Sequence, residues 1–298
     1  MHVSLGLPTH RVDLGDEFIS VDAITAMATT AEAAGFDAVF TSDHPAPPTE
    51  WLAKGGHHTL DPFVVLSIAA AATSTLRLHT NLFVPAYRPA LIGAKQIASL
   101  DRVSGGRVIA GVGAGYVEGE FTALGATFAD RNNRLDEAIH TMRLAWSGAP
   151  VGDVVQLPAP VNPKGPPIWI GGNSKRAMRR ALELGDGWVP MPSPRRAARL
   201  LRTPGIESIA DLAARISDLA SMRSELAAAP APFDIAFMPA GLDMFNQAAP
   251  EPAAVRDEID QLRAIGVTWA TVMLPGETLS AQLRSIEEFG ARVISPAS

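Results

Sequence analysis

The segment Leu100–Gly125 reads LDRVSGGRVIAGVGAGYVEGEFTALG, and it indicates the fold of the chain more clearly than any other segment. It predicts a helix that ends near Val103, a turn at Ser104–Gly106 and a strand over Arg107–Ala110. Alternate glycines follow that strand, namely Gly111, Gly113 and Gly115. Because glycine has no Cβ, such a backbone can approach a flat or anionic group very closely. The segment therefore predicts a strand that leads into a ligand-binding loop.

The composition narrows the classes of protein to which the chain can belong. The 298 residues include no cysteine and carry a net charge of -6. We therefore expect no disulfides, thiol nucleophiles or iron–sulfur clusters, and no nucleic-acid partner, which would require a basic surface. No apolar run is long enough to span a membrane, and the first residues lack the regions of a signal peptide. We expect no membrane partner and a cytoplasmic location.

Short apolar runs alternate with amphipathic segments along the chain. The predicted strands are His2–Leu7, Asp37–Thr41, Leu76–Leu82, Arg107–Ala110, Ile168–Ile170, Gly187–Pro190, Asp234–Pro239 and Trp269–Pro275. At least one helix follows each strand, which implies parallel strands joined by right-handed crossovers. This order favours an α/β fold, a closed (β/α)8 TIM barrel in a single domain over residues 1–298, with an open doubly wound sheet as the alternative. Gly148–Pro167 is interpreted as a short excursion before the fifth strand.

In barrels of this kind the ligand site lies at the carboxyl ends of the strands. The residues predicted at those ends are Pro8 or His10, Asp43 and His44, Asn81, Gly113–Tyr116 and Gly171–Ser174. On the third strand Arg77, His79 and Asn81 share one face, which we expect to point into the barrel. The long segment Pro45–Asp61, with Trp51 as its large aromatic residue, has the length of a lid or binding loop.

The segment Gly171–Ser174 has the composition of an anion-binding turn. Its two glycines let backbone amides approach a ligand, and Asn173 or Ser174 caps the helix that follows. Free amides at a helix start favour an anion, and Lys175 and Arg176 add positive charge. A phosphate group fits such a site. An ordinary strand-to-helix turn with a good cap is the equally open alternative.

His44 is the titratable residue that we expect to act on a ligand. A histidine at a strand end can donate a hydrogen bond or move a proton near neutral pH, although a lone histidine is often only a satisfied polar residue. His57 and His58, in the long loop, are predicted to be solvated. Glu118 and Glu120 open the helix after the glycine loop, where we expect them only to stabilise the helix start.

Other chemistries lack the residues that they need. The first strand has no His-x-His pair, so no metal site is expected, and the lysines fall in loops or helices, which disfavours a Schiff base. The sequence has no G-x-S-x-G nucleophile elbow, and its glycines match a dinucleotide fingerprint only in part. The remaining interpretation is a barrel that holds an organic cofactor with a phosphate tail.

Three segments together resemble the bacterial luciferase-like family of flavin and deazaflavin oxidoreductases. They are SLDRVSGGRVIAGVGAGYVEGEFTALG from Ser99, RNNRLDEAI from Arg131 and PIWIGGNSKRAMRRALELGDGWVP from Pro167. The resemblance extends over nearly the whole chain and implies a (β/α)8 barrel. Its motifs are more specific for the family than for the cofactor or the substrate.

The resemblance also implies roles for individual residues. Asp43 and His44 match the pair that lies beside the cofactor ring in deazaflavin members, and Trp51 resembles their loop aromatic. Asn81 and Leu82 match a non-proline cis peptide that backs the ring in relatives. The remaining matches are Ala114, Gly115 and Tyr116 beside the ring, and Gly171, Gly172, Asn173 and Ser174 at the cofactor phosphate.

The resemblance implies an enzyme that passes a hydride between bound coenzyme F420, a deazaflavin, and a small organic substrate. Family members are commonly dimers, so we expect a homodimer. His44 is expected to hydrogen-bond or transfer a proton at the ring, with Tyr116 as the second catalytic candidate. Sugar-phosphate dehydrogenases of the family have a glutamate where this chain has Tyr116, which argues against glucose 6-phosphate as the substrate.

Three alternatives stay open. The first is an FMN-dependent luciferase-like monooxygenase that uses reduced flavin, O2 and a separate reductase. The second is a flavin- or deazaflavin-binding protein without turnover. The third is a cofactor-free isomerase of a phosphate substrate, which is disfavoured because no carboxylate or lysine pair is predicted at the strand ends.

Overall fold

The alternation of strands and helices builds a closed barrel. The computed structural model describes residues 1–226, 231–242 and 251–295. Parallel strands follow one another around the barrel in sequence order, and the last pairs with the first. They are β1 His2–Gly6, β2 Ala38–Thr41, β3 Arg77–Thr80, β4 Val108–Val112, β5 Ile168–Gly171, β6 Gly187–Val189, β7 Asp234–Phe237 and β8 Trp269–Val272. The predicted (β/α)8 TIM barrel is confirmed, and the open-sheet alternative is wrong.

Helices surround the barrel. Those of the described residues are α1 Asp16–Ile19, α2 Val21–Ala33, α3 Thr49–Leu52, α4 Pro62–Ala72, α5 Ala90–Ser104, α6 Glu118–Ala123, α7 Arg131–Trp146, α8 Lys175–Leu184, α9 Ala198–Leu201, α10 Ile209–Glu225, α11 Pro252–Ala264 and α12 Leu279–Phe289. Local signals set their ends: Ser20 caps α2, and Gly105 ends α5 with a φ of 72°. None of these described helices is both long enough and apolar enough to cross a membrane.

The fourth strand begins and ends later than predicted. It covers Val108–Val112 instead of Arg107–Ala110, so Gly111 lies inside the strand. A Cβ at this position would lie 2.1 Å from the backbone oxygen of Thr80 and 2.9 Å from Nε2 of His79. Glycine is required here because a neighbouring strand and a buried ring approach the backbone. The ligand-binding loop therefore begins at Gly113.

Aromatic rings fill the barrel interior. The ring of Trp169 lies 4.9 Å from that of His79 and 5.2 Å from that of Trp269. The guanidinium of Arg77 lies 5.7 Å from the ring of Trp269, and His79 is completely buried, so the predicted inward face of the third strand is confirmed for these two residues. The interior is a packed core, which leaves the barrel mouth for ligands.

His79 makes the stability of this core depend on pH. Burial, with a smaller effect of Arg77, lowers the pKa of its imidazole to about 3. Because the unfolded chain takes up this proton first as the pH falls, each pH unit from about 6.5 down to about 3 should cost about 1.4 kcal/mol of unfolding free energy. We expect His79→Phe to lose less stability than the wild type between about pH 6 and about pH 4 in urea titrations. Equal losses would contradict this assignment.

The excursion before β5 runs beside α5. Over Gly148–Pro167 the chain forms neither a helix nor a strand of the barrel. The side chain of Gln156 donates to the carbonyl of Leu91, and that of Arg102 donates to the carbonyl of Ala159. The predicted excursion is thus confirmed and is held against the barrel from outside. That residues 1–298 form a single domain stays a prediction.

Candidate active site

Four rings meet at the carboxyl end of β2. The imidazole of His44 lies 4.7 Å from the ring of Trp51 and 4.9 Å from that of His57, between centroids. Tyr116, in the loop after β4, lies 6.3 Å from His44 and 6.4 Å from Trp51. The structure thus brings together His44, Trp51 and Tyr116, which the sequence placed in three separate segments.

A buried carboxylate contacts His44. The side chain of Glu120, on α6, is 0% exposed, and its Oε2 lies 3.0 Å from Nδ1 of His44. The same oxygen accepts a hydrogen bond of 2.7 Å from the Tyr87 hydroxyl, and Oε1 accepts one of 3.3 Å from the amide of Ala46. The expectation that Glu120 only stabilises a helix start is wrong, because its charge is buried within the site.

The spacing of buried residues explains the position of Glu120. Val117, Glu120 and Phe121 are all buried, whereas Glu118 is exposed. These three buried positions are spaced i, i+3 and i+4, so they share one face of the helical turn. A glutamate flanked by apolar residues on that face was the available signal in the sequence.

Glu120 decides which nitrogen of His44 is free. An ionised carboxylate can only accept hydrogen bonds, so Nδ1 of His44 donates to it and Nε2 is left to accept or release a proton. Burial, followed by the charge of Glu120, raises the pKa of Tyr87 above its usual range. The Tyr87 hydroxyl therefore stays protonated and donates to Glu120. Together these contacts fix the orientation of the imidazole.

The prediction that His57 is solvated is wrong. Its ring lies edge-on to that of His44 and 6.0 Å from that of His10, in the loop after β1. Burial, followed by the charges of His44 and His10, lowers the pKa of His57 to about 3. Burial, followed by Arg11, lowers the pKa of His10 to about 4. Both rings are neutral at pH 7, so this wall of the mouth is uncharged. His58 is exposed, as expected.

Asp43 is directed toward the segment that follows β3. Its carboxylate accepts a hydrogen bond of 2.9 Å from the amide of Val84 and pairs with Arg88 at 2.9 Å. Burial raises the pKa of Asp43, while Arg88 and the Val84 amide oppose that rise. The carboxylate is thus engaged by the protein and positions the segment after Asn81 and Leu82. A direct contact of Asp43 with a cofactor stays a prediction.

The peptide bond between Asn81 and Leu82 is cis, as the resemblance implied. The Leu82 side chain contacts the barrel core from the mouth. A Cβ at Gly113 would lie 3.2 Å from Leu82 Cδ1, and one at Gly171 would lie 2.0 Å from it. The two glycines therefore make room for the side chain of Leu82.

The loop Ala114–Tyr116 forms one side of the mouth. Gly115 has a φ of 76°, and a Cβ there would lie 2.9 Å from the ring of Phe121, so glycine is required. Burial, followed by the charge of Glu120, raises the pKa of Tyr116 to about 12. Its hydroxyl is therefore a protonated hydrogen-bond donor at neutral pH.

The loop Gly171–Ser174 leads into α8. The hydroxyl of Ser174 accepts a hydrogen bond of 3.1 Å from the amide of Ala177, which confirms the predicted cap. Gly172 has a φ of 112°, a conformation that favours glycine. The amides of the first turn of a helix have no partner within it, so an anion at this point would meet several donors.

Asn173 shapes this loop from behind. It is completely buried, and its side-chain amide donates to the carbonyls of Met191 and Pro204 at 2.8 and 2.7 Å. Its backbone amide donates to the hydroxyl of Thr203 at 2.8 Å. These donors are used within the chain, so we expect Asn173 to position the neighbouring amides. Contact of Asn173 with a cofactor stays a prediction.

The match to a protein family covers most of the chain. The family described as luciferase-like monooxygenase matches residues 1–231. The chain belongs to this family. The resemblance inferred from the three sequence segments is confirmed, and the barrel with its ring-lined mouth is that of a luciferase-like protein.

Individual relatives of this luciferase-like protein differ in their chemistry. F420-dependent hydroxymycolic acid dehydrogenase of Mycobacterium tuberculosis is 30% identical, and the similarity covers 94% of this chain and 80% of the relative. F420-dependent glucose-6-phosphate dehydrogenase of Intrasporangium calvum is 33% identical over 53% of this chain and 50% of its own length. The crystal structure of monooxygenase RslO1 from Streptomyces bottropensis has the same fold, with a TM-score of 0.79, 19% identity and 99% of both chains covered.

Proposed function

We propose that this luciferase-like protein is a cytoplasmic oxidoreductase that passes a hydride between coenzyme F420 and a small organic alcohol or carbonyl compound. The observation that carries the proposal is the hydrogen-bonded pair of His44 and Glu120 at the barrel mouth. The relative from M. tuberculosis, similar over 94% of this chain, supports F420 as the cofactor by its name.

The residues at the mouth fit a deazaflavin with a phosphate. A flat ring needs a surface without projecting side chains, and Gly113 and Gly171 leave Leu82 as the side chain between them. A phosphate needs amide donors, which the start of α8 offers. The proposed contacts are Asp43, His44, Trp51, Asn81, Leu82, Ala114, Gly115 and Tyr116 at the ring, and Gly171, Gly172, Asn173 and Ser174 at the phosphate.

When bound, the deazaflavin supplies a ring carbon that exchanges a hydride with the substrate carbon. His44 acts as the general base and acid. Its Nε2 accepts the hydroxyl proton when an alcohol is oxidised and returns the proton when a carbonyl compound is reduced. Glu120 and Tyr87 hold the imidazole in place, and the carboxylate stabilises the imidazolium that forms. The rings of Trp51 and His57 pack against that of His44 and leave its side chain only 11% exposed.

Tyr116 is the second catalytic candidate. Its protonated hydroxyl can donate a hydrogen bond to the substrate oxygen. The walls formed by His10, His57 and Trp51 are uncharged at neutral pH, which favours an uncharged substrate. Together with Tyr116 in place of the glutamate of sugar-phosphate dehydrogenases, this argues against glucose 6-phosphate.

Equilibrium titration of the purified protein with coenzyme F420 and with FMN tests the choice of cofactor. We expect saturable binding of F420 and much weaker binding of FMN. Tight binding of FMN without binding of F420 would overturn the proposal. It would favour an FMN-dependent monooxygenase supplied by a separate reductase, the second candidate, which the family description itself supports.

A cofactor-binding protein without turnover makes a different prediction. Its cofactor would bind, but no donor would reduce it at a rate that depends on His44 or Tyr116. Reduction rates of His44→Ala and Tyr116→Phe separate the two cases. If neither substitution changes the rate with any donor, the chemistry does not take place at these residues.

The outer surface of α4 supports a homodimer. The helix reads PFVVLSIAAAA without a charged residue, Val64 is 58% exposed, and Val103 on neighbouring α5 is 74% exposed. The exposed face of α4 consists of Val64, Ser67 and Ala71 and carries no charge, and we propose that a second copy covers Val64 and Val103. We expect Val64→Arg to convert a dimer to a monomer in light scattering, and the exposed control Val21→Arg to leave the mass unchanged. A monomeric wild type would contradict this.

A further inference from the structure

Two arginines share one aromatic ring near the barrel mouth. The guanidinium carbon of Arg131, at the start of α7, lies 4.0 Å from the ring centroid of Phe128. That of Arg202, after α9, lies 4.6 Å from the same centroid. The ring attracts each cation, but two positive charges at these distances also repel each other. The arrangement therefore gains from an anion that both arginines can contact.

Arg176 adds a third positive charge near Arg131 and Arg202. Burial lowers the pKa of Arg131, the like charges of Arg202 and Arg176 lower it further, and Glu118 opposes them. Arg176 lies at the start of α8, directly after the loop Gly171–Ser174, and donates to Asp136 at 3.2 Å. We call Arg131, Arg176 and Arg202 the arginine cluster.

The arginine cluster is attached to the loop proposed for the phosphate. The residues that follow Arg202 bind Asn173: the hydroxyl of Thr203 accepts from its backbone amide, and the carbonyl of Pro204 accepts from its side chain. Arg202 itself has a φ of 50°, which is uncommon for a residue with a Cβ. The backbone thus holds Arg202 beside the loop in a conformation that is usually avoided.

Few carboxylates balance these charges. In the described part of the chain, Arg202 pairs with Glu118 at 3.0 Å, and Asp136 pairs with both Arg176 and Arg180. Three arginines thus share these two carboxylates, and no ion pair of the described residues includes Arg131, although the whole chain has a net charge of -6. The Glu118 side chain is 61% exposed. Its carboxylate pairs with the Arg202 guanidinium in the way that a carboxylate of a bound ligand would.

We propose that the arginine cluster binds carboxylates that extend beyond the cofactor phosphate, as in the glutamate chain of coenzyme F420. This inference rests on the proposed function, because it requires a deazaflavin whose phosphate lies at Gly171–Ser174. Glu118 is then an internal competitor, whose carboxylate leaves Arg202 when the glutamate chain binds. FMN ends at its phosphate, so the cluster favours F420 over FMN.

The affinities for F420 with its glutamate chain and for the form that ends before the first glutamate test the inference. They are measured by fluorescence titration without substrate, so that turnover plays no part. We expect the double variant Arg131→Gln/Arg202→Gln to bind the glutamate-bearing form about ten-fold more weakly, since two exposed ion pairs are lost, and the shorter form within about two-fold. Arg284→Gln, on α12, removes one positive charge elsewhere and should alter neither affinity.

Glu118→Gln provides a test in the opposite direction. It removes the competing carboxylate at an exposed position, so we expect about two- to three-fold tighter binding of the glutamate-bearing form alone. Equal changes for both forms, or no change in either the double variant or Glu118→Gln, would overturn the inference and leave the proposed function intact. A wild type that binds neither F420 form but binds FMN would overturn both.

Discussion

Replacing His44 by glutamine is expected to lower kcat for alcohol oxidation with coenzyme F420 by about 100- to 10,000-fold, the usual contribution of a general base. Glutamine can still donate a hydrogen bond to Glu120, but it has no atom that takes up a proton near neutral pH. We expect the affinity for F420 to change little, because most proposed cofactor contacts are elsewhere. Steady-state kinetics and a cofactor titration of the same preparation measure both effects.

Two further substitutions serve as controls for His44→Gln. His58 lies in the loop that follows His44 but is exposed, so His58→Gln should leave kcat unchanged. Tyr116→Phe removes a hydrogen-bond donor and no base, so its effect should be smaller, about ten-fold. A His44→Gln protein with nearly wild-type kcat would contradict the assignment of the proton to His44.

Replacing Glu120 by glutamine is the second change with a large expected effect, about 100-fold in kcat. An amide can donate to Nδ1 of His44, which lets the proton move to Nε2 and blocks the atom that must accept one. The imidazolium also loses the carboxylate that stabilises it. We expect KM to change much less than kcat, since Glu120 is completely buried behind His44 and acts through it.

The melting temperature separates this positioning role from a structural one. A neutral amide is easier to bury than a charge, so Glu120→Gln should be about as stable as the wild type. Tyr87→Phe removes one donor to the carboxylate and should lower kcat less than Glu120→Gln does. An inactive Glu120→Gln protein that has also lost its cooperative unfolding would favour a structural role for Glu120 instead.

The fold was predictable because its causes are local and repeated. Apolar runs such as His2–Gly6 and Ile168–Gly171 are short, and an amphipathic helix follows each, which parallel strands require. Parallel strands also bring their carboxyl ends to one edge, so His44 and Tyr116 could be placed together without knowing a contact. The end of β4 could not be predicted, because Gly111 belongs to the strand only through its close approach to Thr80.

The sequence does not predict the positions of two site residues, Glu120 and His57, because both depend on how one segment packs against another. The sequence predicts Glu120 as a helix-start residue because the face that α6 turns to the barrel is set by Val117 and Phe121, whose burial the composition does not show. The sequence predicts His57 in solvent because only the folded loop brings its ring to that of His44. In both cases the decisive information is a contact between segments that are distant in sequence.

Anaerobic reduction of bound, oxidised coenzyme F420 by a panel of small alcohols, followed by the loss of deazaflavin absorbance in a single turnover, tests the central claim most directly. We predict that at least one alcohol reduces the cofactor on the wild-type protein, and that His44→Gln binds the cofactor but reduces it at least about 100-fold more slowly. Bound F420 that no alcohol reduces, or equal rates for the two proteins, would contradict hydride transfer with His44 as the proton acceptor.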